Sequence, residues 1–90
     1  MGMGTGASGA ATGTIVADTD STLTLSRPSD CVLVSNNSGV GFFVRLNGAV
    51  SAVAYDFYLA DGERVWIRDV LVATVHVHGN ATSGLRVVFW

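Results

Sequence analysis

Residues 64–78 read RVWIRDVLVATVHVH, and their periodicity is two. Val65 and Ile67 alternate with Trp66 and Arg68, and Val75 and Val77 alternate with His76 and His78. Alternation of this kind sends successive side chains to opposite faces of a sheet. Asp69 interrupts the run, which predicts two short strands, 64–68 and 70–78. Val65 and Ile67 are expected inside, with Trp66 and Arg68 on the opposite face.

The same punctuation continues on either side. Upstream, Asp61-Gly62 joins Asp56–Ala60 (DFYLA) to this region as a predicted hairpin, and Asn47-Gly48 is the strongest short turn signal in the chain. Gly41–Leu46 is a strand with Phe42, Val44 and Leu46 on one face, whereas Ala49–Ala54 reads equally as an edge strand or a loop. Asn36-Asn37-Ser38-Gly39 is a turn. Cys31–Ser35 (CVLVS) is apolar at both parities and is expected to be covered on both faces. Arg27-Pro28-Ser29-Asp30 reads as a corner between that strand and Thr22–Ser26, and Thr14–Asp18 is the first strand. Downstream, the turn region Gly79–Gly84 leads to Leu85–Trp90, with Leu85, Val87 and Phe89 facing one way and Arg86, Val88 and Trp90 the other. Seven or eight strands at this spacing, with no segment of helical periodicity, predict an all-β antiparallel β-sandwich with jelly-roll or Greek-key-like connections.

Composition agrees with this reading and narrows the function. Val, Ile and Thr supply 24 of the 90 residues, Lys and Gln are absent and Glu occurs once, so strong helix formers are scarce. The five basic residues are all Arg and are dispersed in sequence, and net charge is −2, so the footprint of a nucleic-acid binder is missing. Mean hydropathy is +0.45, yet no apolar run approaches the ~20 residues of a spanning helix. A membrane partner is not expected. So small a domain leaves part of its apolar surface without an internal home, which points to an assembly subunit. Met1–Gly13 is uncharged and carries glycines at 2, 4, 6, 9 and 13. It lacks the basic and apolar regions of a secretory signal and is read as an extended N-terminal arm, with residues 14–90 forming the domain.

Catalytic and metal chemistry finds little support. His76 and His78 share a face and could both reach one ion, but no third histidine exists and the single Glu, Glu63, lies upstream. Cys31 sits in an apolar context with no neighbouring base, as a packed thiol does. No nucleophile elbow, zinc-protease or phosphate-loop sequence occurs. Neither an enzyme nor a cofactor is expected. Trp66 and Trp90 are more informative, because each shares strand parity with an arginine, Arg68 and Arg86 respectively, and Trp and Arg are the types most enriched at interface hot spots. The expected partner-facing residues are Met1, Met3, Thr5, Trp66, Arg68, Arg86, Val88 and Trp90.

From Cys31 onward the chain resembles small bacteriophage virion proteins that decorate or cement capsids or sit in head and tail assemblies. The likeness rests on Asn36-Asn37-Ser38, Val44-Arg45-Leu46-Asn47-Gly48, Phe57–Arg64, Val75-His76-Val77-His78-Gly79 and Leu85–Trp90. The resemblance implies a β-sandwich that forms a homo-oligomer, a trimer or dimer, is made in the host cytoplasm and binds the major capsid protein or other virion subunits at the capsid surface. A head–tail connector or tail component is the alternative within the virion. A small carbohydrate-binding module using Trp66 or Trp90 as a stacking platform is the alternative of another class.

Overall fold

The computed structural model describes residues 9–90. Six strands follow in order: β1 (Gly9–Ile15), β2 (Ser21–Ser35), β3 (Phe42–Leu46), β4 (Phe57–Leu59), β5 (Arg64–His78) and β6 (Ser83–Phe89). They form one antiparallel sheet in the order β1-β6-β2-β5-β3-β4, where the sequence pattern predicts seven or eight separate strands. Among the described residues no helix is long and apolar enough to cross a membrane.

The count falls because two expected breaks lie inside strands. Arg27–Asp30, read as a corner, belongs to β2, and Asp69 lies within β5. Both positions are bulges rather than ends. Pairing runs from Ser21↔Val77 to Thr24↔Thr74, shifts at Ser29↔Val72, shifts again to Cys31↔Arg68 and continues to Ser35↔Arg64. The surplus residues fall on β2 at 25–28 and on β5 at 69–71. A bulge leaves residues unpaired and bends its strand, and Pro28, which has no N–H to donate, is tolerated at such a place. Asp69 takes φ 63°, a left-handed turn of the backbone that Asp accepts more readily than most residues. Asn47, expected only as a turn residue, holds this irregular stretch in place. Its Oδ1 accepts the N–H groups of Ala73 (2.8 Å) and Thr74 (3.3 Å), and its Nδ2 donates to the Leu71 carbonyl (2.8 Å).

Two further expectations are corrected. Asp56–Ala60 and Arg64–Arg68 do not pair as a hairpin: β4 pairs with β3, and the first half of β5 pairs with β2. The apolar Cys31–Ser35 run takes both available edges, β5 on one side and β6 on the other, so burying it outweighs the local pairing. Ala49–Ala54 is a loop, closed by Ser51, whose hydroxyl accepts the N–H groups of Val53 and Ala54.

Strand β1 begins at Gly9, so residues 9–13, read as the end of the arm, are part of the sheet and pair with Leu85–Phe89 of β6. Small residues suit this strand because bulky neighbours lie against it. A Cβ on Gly9 would stand 2.6 Å from Phe89 Cζ, and one on Gly13 would stand 2.9 Å from Leu23 Cδ1.

The core draws on every strand except for the outward parities: Ile15, Leu23, Leu25, Val32, Val34, Phe42, Val44, Leu59, Ile67, Val72, Val75, Val77, Leu85, Val87 and Phe89 form one buried cluster. Most of its members are the inward residues of the alternation seen in β2, β3, β5 and β6; Ile15 of β1 and Leu59 of β4 join them, and Val72 turns inward beside the β5 bulge. Ile15 of β1 and Phe42 of β3 both lie beside Gly79, although these strands are far apart in the sheet order. Cys31 is buried.

Candidate functional site

The outward parities assemble a surface across four strands. Ala10 lies opposite Val88, Val88 opposite Leu33 and Leu33 opposite Trp66. Directly opposed residues of antiparallel strands point to the same side, so these four make a continuous apolar row on the outer face. The next row is Thr12, Arg86, Ser35 and Arg64. On the other side, Arg68 lies opposite Cys31, and Trp90 follows Phe89 out of β6. An apolar stripe is thus bordered by arginines on both sides.

The two tryptophans meet on this face, with ring centroids 5.1 Å apart and planes inclined by 35°. The Arg68 guanidinium lies 5.2 Å from the Trp66 ring centroid, within cation–π range. Trp66 remains 43% exposed. Trp90 is tied down: its N–H donates to the Cys31 carbonyl (3.1 Å), and its carbonyl accepts the Ser29 hydroxyl (2.7 Å). The Trp90 indole N–H is buried with no acceptor among the described residues.

Four carboxylates bind backbone, whereas Asp30 and Asp69, next to Cys31 and Arg68 in the chain, are exposed. Asp20, Asp56, Asp61 and Glu63 each accept a backbone N–H, from Val50, Leu46, Gly39 and Ala60 respectively. These carboxylates are engaged in closing loops. Arg64, Arg68 and Arg86 are exposed, and among the described residues none of the three forms an ion pair. Arg86 and Val88 also line a surface groove of about 680 Å³ with Thr12, Ser35, Ser38 and Thr82. The structure therefore brings Trp66, Arg68, Arg86, Val88 and Trp90 onto one face. Met1, Met3 and Thr5 lie outside the described residues.

His76 and His78 share a face but have different neighbours. His76 Nδ1 lies 3.1 Å from Asp20 Oδ1 and 3.1 Å from the Thr22 hydroxyl, and its Nε2 lies 3.0 Å from the Thr74 hydroxyl. With the proton on Nδ1, the ring donates to Asp20 and accepts from Thr74. Asp20, His76 and Thr74 stand in the order of an acid–base–hydroxyl relay, but the Thr74 N–H, which could have stabilised an oxyanion, is turned to Asn47 Oδ1. The network pins the β1–β2 loop to β5. His78 instead faces Phe43, with ring centroids 6.4 Å apart. Among the described residues no group of three or more His, Cys, Asp or Glu is placed to hold a metal ion.

Several features have no clear signal in the sequence. Asn36, which reads as a turn residue, is 1% exposed. Its Nδ2 donates to the carbonyls of Val40 (2.7 Å) and Leu59 (2.9 Å), and its Oδ1 accepts from the Ser38 N–H (3.0 Å) and hydroxyl (2.6 Å). Phe43 gathers Tyr55 (4.6 Å) and Tyr58 (5.0 Å) into an aromatic cluster at the far end of the sheet. Val70 and Leu71, at the β5 bulge, are exposed. Period-two alternation marks which side a residue faces but not which of two outer faces will be crowded.

Comparison with family models, with curated proteins and with solved structures finds no match for this chain.

Proposed function

We propose that the chain is a structural, non-catalytic subunit of a bacteriophage virion, a capsid decoration or cement protein that bridges neighbouring capsid subunits. The observation that supports this reading is the row Ala10–Val88–Leu33–Trp66, with Trp90 beside it and arginines along both borders. Tryptophan and arginine around an apolar centre is the composition of an interface hot spot. An acidic capsid surface is the complement of Arg64, Arg68 and Arg86. In this reading the six-stranded sheet folds about the bulges of β2 and β5 into a jelly-roll-like sandwich that presents one layer outward. Met1, Met3 and Thr5 extend the contact along a neighbouring subunit. The chain acts on the capsid surface as a homo-oligomer, trimer or dimer.

A bridging contact of this kind must bury ~1,000 Å² or more to be stable. A glycan platform at Trp66 is less favoured, because Arg68 and Trp90 already stand against that ring.

The test is to mix the protein with capsids of its own phage and measure bound copies and the mass of the free protein. Cement predicts a defined stoichiometry, an oligomer in solution or on the shell, and binding lost in Trp66→Ala and weakened by salt and by Arg86→Glu. Density at the head–tail junction would move the protein to the connector reading. A monomer that ignores capsids would end the virion proposal.

A further inference from the structure

We infer that the groove beneath the β1–β2 and β5–β6 loops, lined by Asp18, Gly41, Phe43, Tyr58, His78 and Asn80, is a binding site for a neutral oligosaccharide. The site lies away from the Trp66 face and does not depend on the virion reading.

Its floor is a cross-strand row on the outer face of the other half of the sheet. Tyr58 of β4 lies opposite Phe43 of β3, and Phe43 lies opposite His78 of β5. The Phe43 and Tyr58 rings meet edge to face at 64°, and Tyr58 is 51% exposed. The Tyr58 hydroxyl occupies the place where a Cβ on Gly41 would be. Glycine at position 41 thus lets the tyrosine lie down against the β3 entry, which fixes the ring before any ligand arrives. A held aromatic surface loses little conformational entropy on binding.

The rim is polar. Asp18 has φ 56°, and its N–H donates to the Gly79 carbonyl at 2.7 Å, which locks the β1–β2 loop against the β5–β6 loop. Among the described residues, the side chains of Asp18, Asn80 and Tyr58 make no hydrogen bond to the protein, although each has donor or acceptor capacity.

A pyranose ring matches this arrangement. It offers an apolar C–H face to an aromatic ring and a rim of hydroxyls to a carboxylate and an amide. The groove, about 560 Å³, falls within the ~300–1,000 Å³ usual for small-ligand sites. No arginine lines it, and Asp18 supplies a negative charge, so a neutral sugar is favoured over an acidic one.

The experiment titrates the isotope-labelled full chain with cellohexaose, maltohexaose, chitohexaose and hexagalacturonate, following amide shifts by NMR. The proposal expects at least one neutral hexasaccharide to saturate, with shifts centred on Asp18, Gly41, His78 and Gly79, and hexagalacturonate to bind at least about tenfold more weakly. Tyr58→Ala should weaken binding about tenfold, and Tyr58→Phe, which keeps the ring, less than about threefold. Asp18→Asn keeps a residue that tolerates the left-handed backbone and should weaken binding about fivefold or more. It decides the matter if Tyr58→Ala fails to fold. Absence of saturation by any neutral sugar at millimolar concentration, shifts centred on Trp66, or unchanged binding in Asp18→Asn would each overturn the proposal.

Discussion

Replacing Gly9 by valine tests whether β1 is an integral strand or merely the end of an arm. Glycine at the start of a strand is ordinarily improvable: exchanging it for a residue with a Cβ removes unfolded-state freedom and gains roughly 0.5–1 kcal/mol. Here the new Cβ meets Phe89, 2.6 Å from Cζ and 3.1 Å from both Cε atoms, where carbon atoms normally rest at about 3.5–4.0 Å. The ring cannot simply retreat. Phe89 is 1% exposed, its strand is flanked by β1 and β2, and the Arg27 guanidinium stands 5.6 Å from its centroid. Overpacking of this kind costs about 1–3 kcal/mol, centrally about 2, so against a backbone gain of roughly 0.5–1 kcal/mol the central expectation is a net loss of about 1–1.5 kcal/mol. For a domain of this size that lowers Tm by roughly 4–12 °C. The control is Ala10→Val, on the outer face beside Val88, which should change stability by less than about 0.5 kcal/mol. Urea unfolding followed by tryptophan fluorescence reads both variants, since Trp90 adjoins Phe89 in sequence. Equal stability of the two would falsify the placement of Gly9 against Phe89.

Three further outcomes follow from the same geometry. Removing residues 1–13 takes five of the seven β1 residues and should lower the urea midpoint markedly. A truncation test of the arm in capsid binding must therefore stop before Gly9. Asn36→Ala should cost about 1–3 kcal/mol by thermal melt, because the Val40 and Leu59 carbonyls lose their donor beneath a buried site; a loss under about 0.5 kcal/mol would count against that network. The Cys31 thiol, 2% exposed, should react with an aromatic disulfide reagent only as fast as the protein opens, and rapid stoichiometric labelling of the native protein would contradict its burial.

Much of the core is legible in the alternation of the chain. Leu23, Leu25, Phe42, Val44, Ile67, Val75, Val77, Leu85, Val87 and Phe89 lie on the inward parity of their strands and are buried, because alternation is a local property of an extended chain. The grouping of Trp66, Arg68, Arg86, Val88 and Trp90 on one face is legible only by halves. Parity puts each pair outward, but their meeting depends on β2 lying between β6 and β5. The aromatic groove is hidden for the same reason: Phe43, Tyr58 and His78 are separated by 15 and 20 residues in the chain and touch only through the pairing of β3 with β4 and β5.

By itself, then, the sequence determined an all-β chain, the inward side of most strands and the absence of a helical alternative, since those follow from propensity and period. The tertiary structure decided where strands end and which strands meet. Arg27–Asp30 and Asp69 carry the residues that normally stop a strand, yet β2 and β5 run through them, because long-range pairing of two apolar strands outweighs a local break that bulges can absorb. The Gly-rich stretch 9–13 made the same crossing from arm to sheet. Its small residues cannot build a core of their own, but they leave room for Phe89 and Leu23, and only the partner strand reveals that.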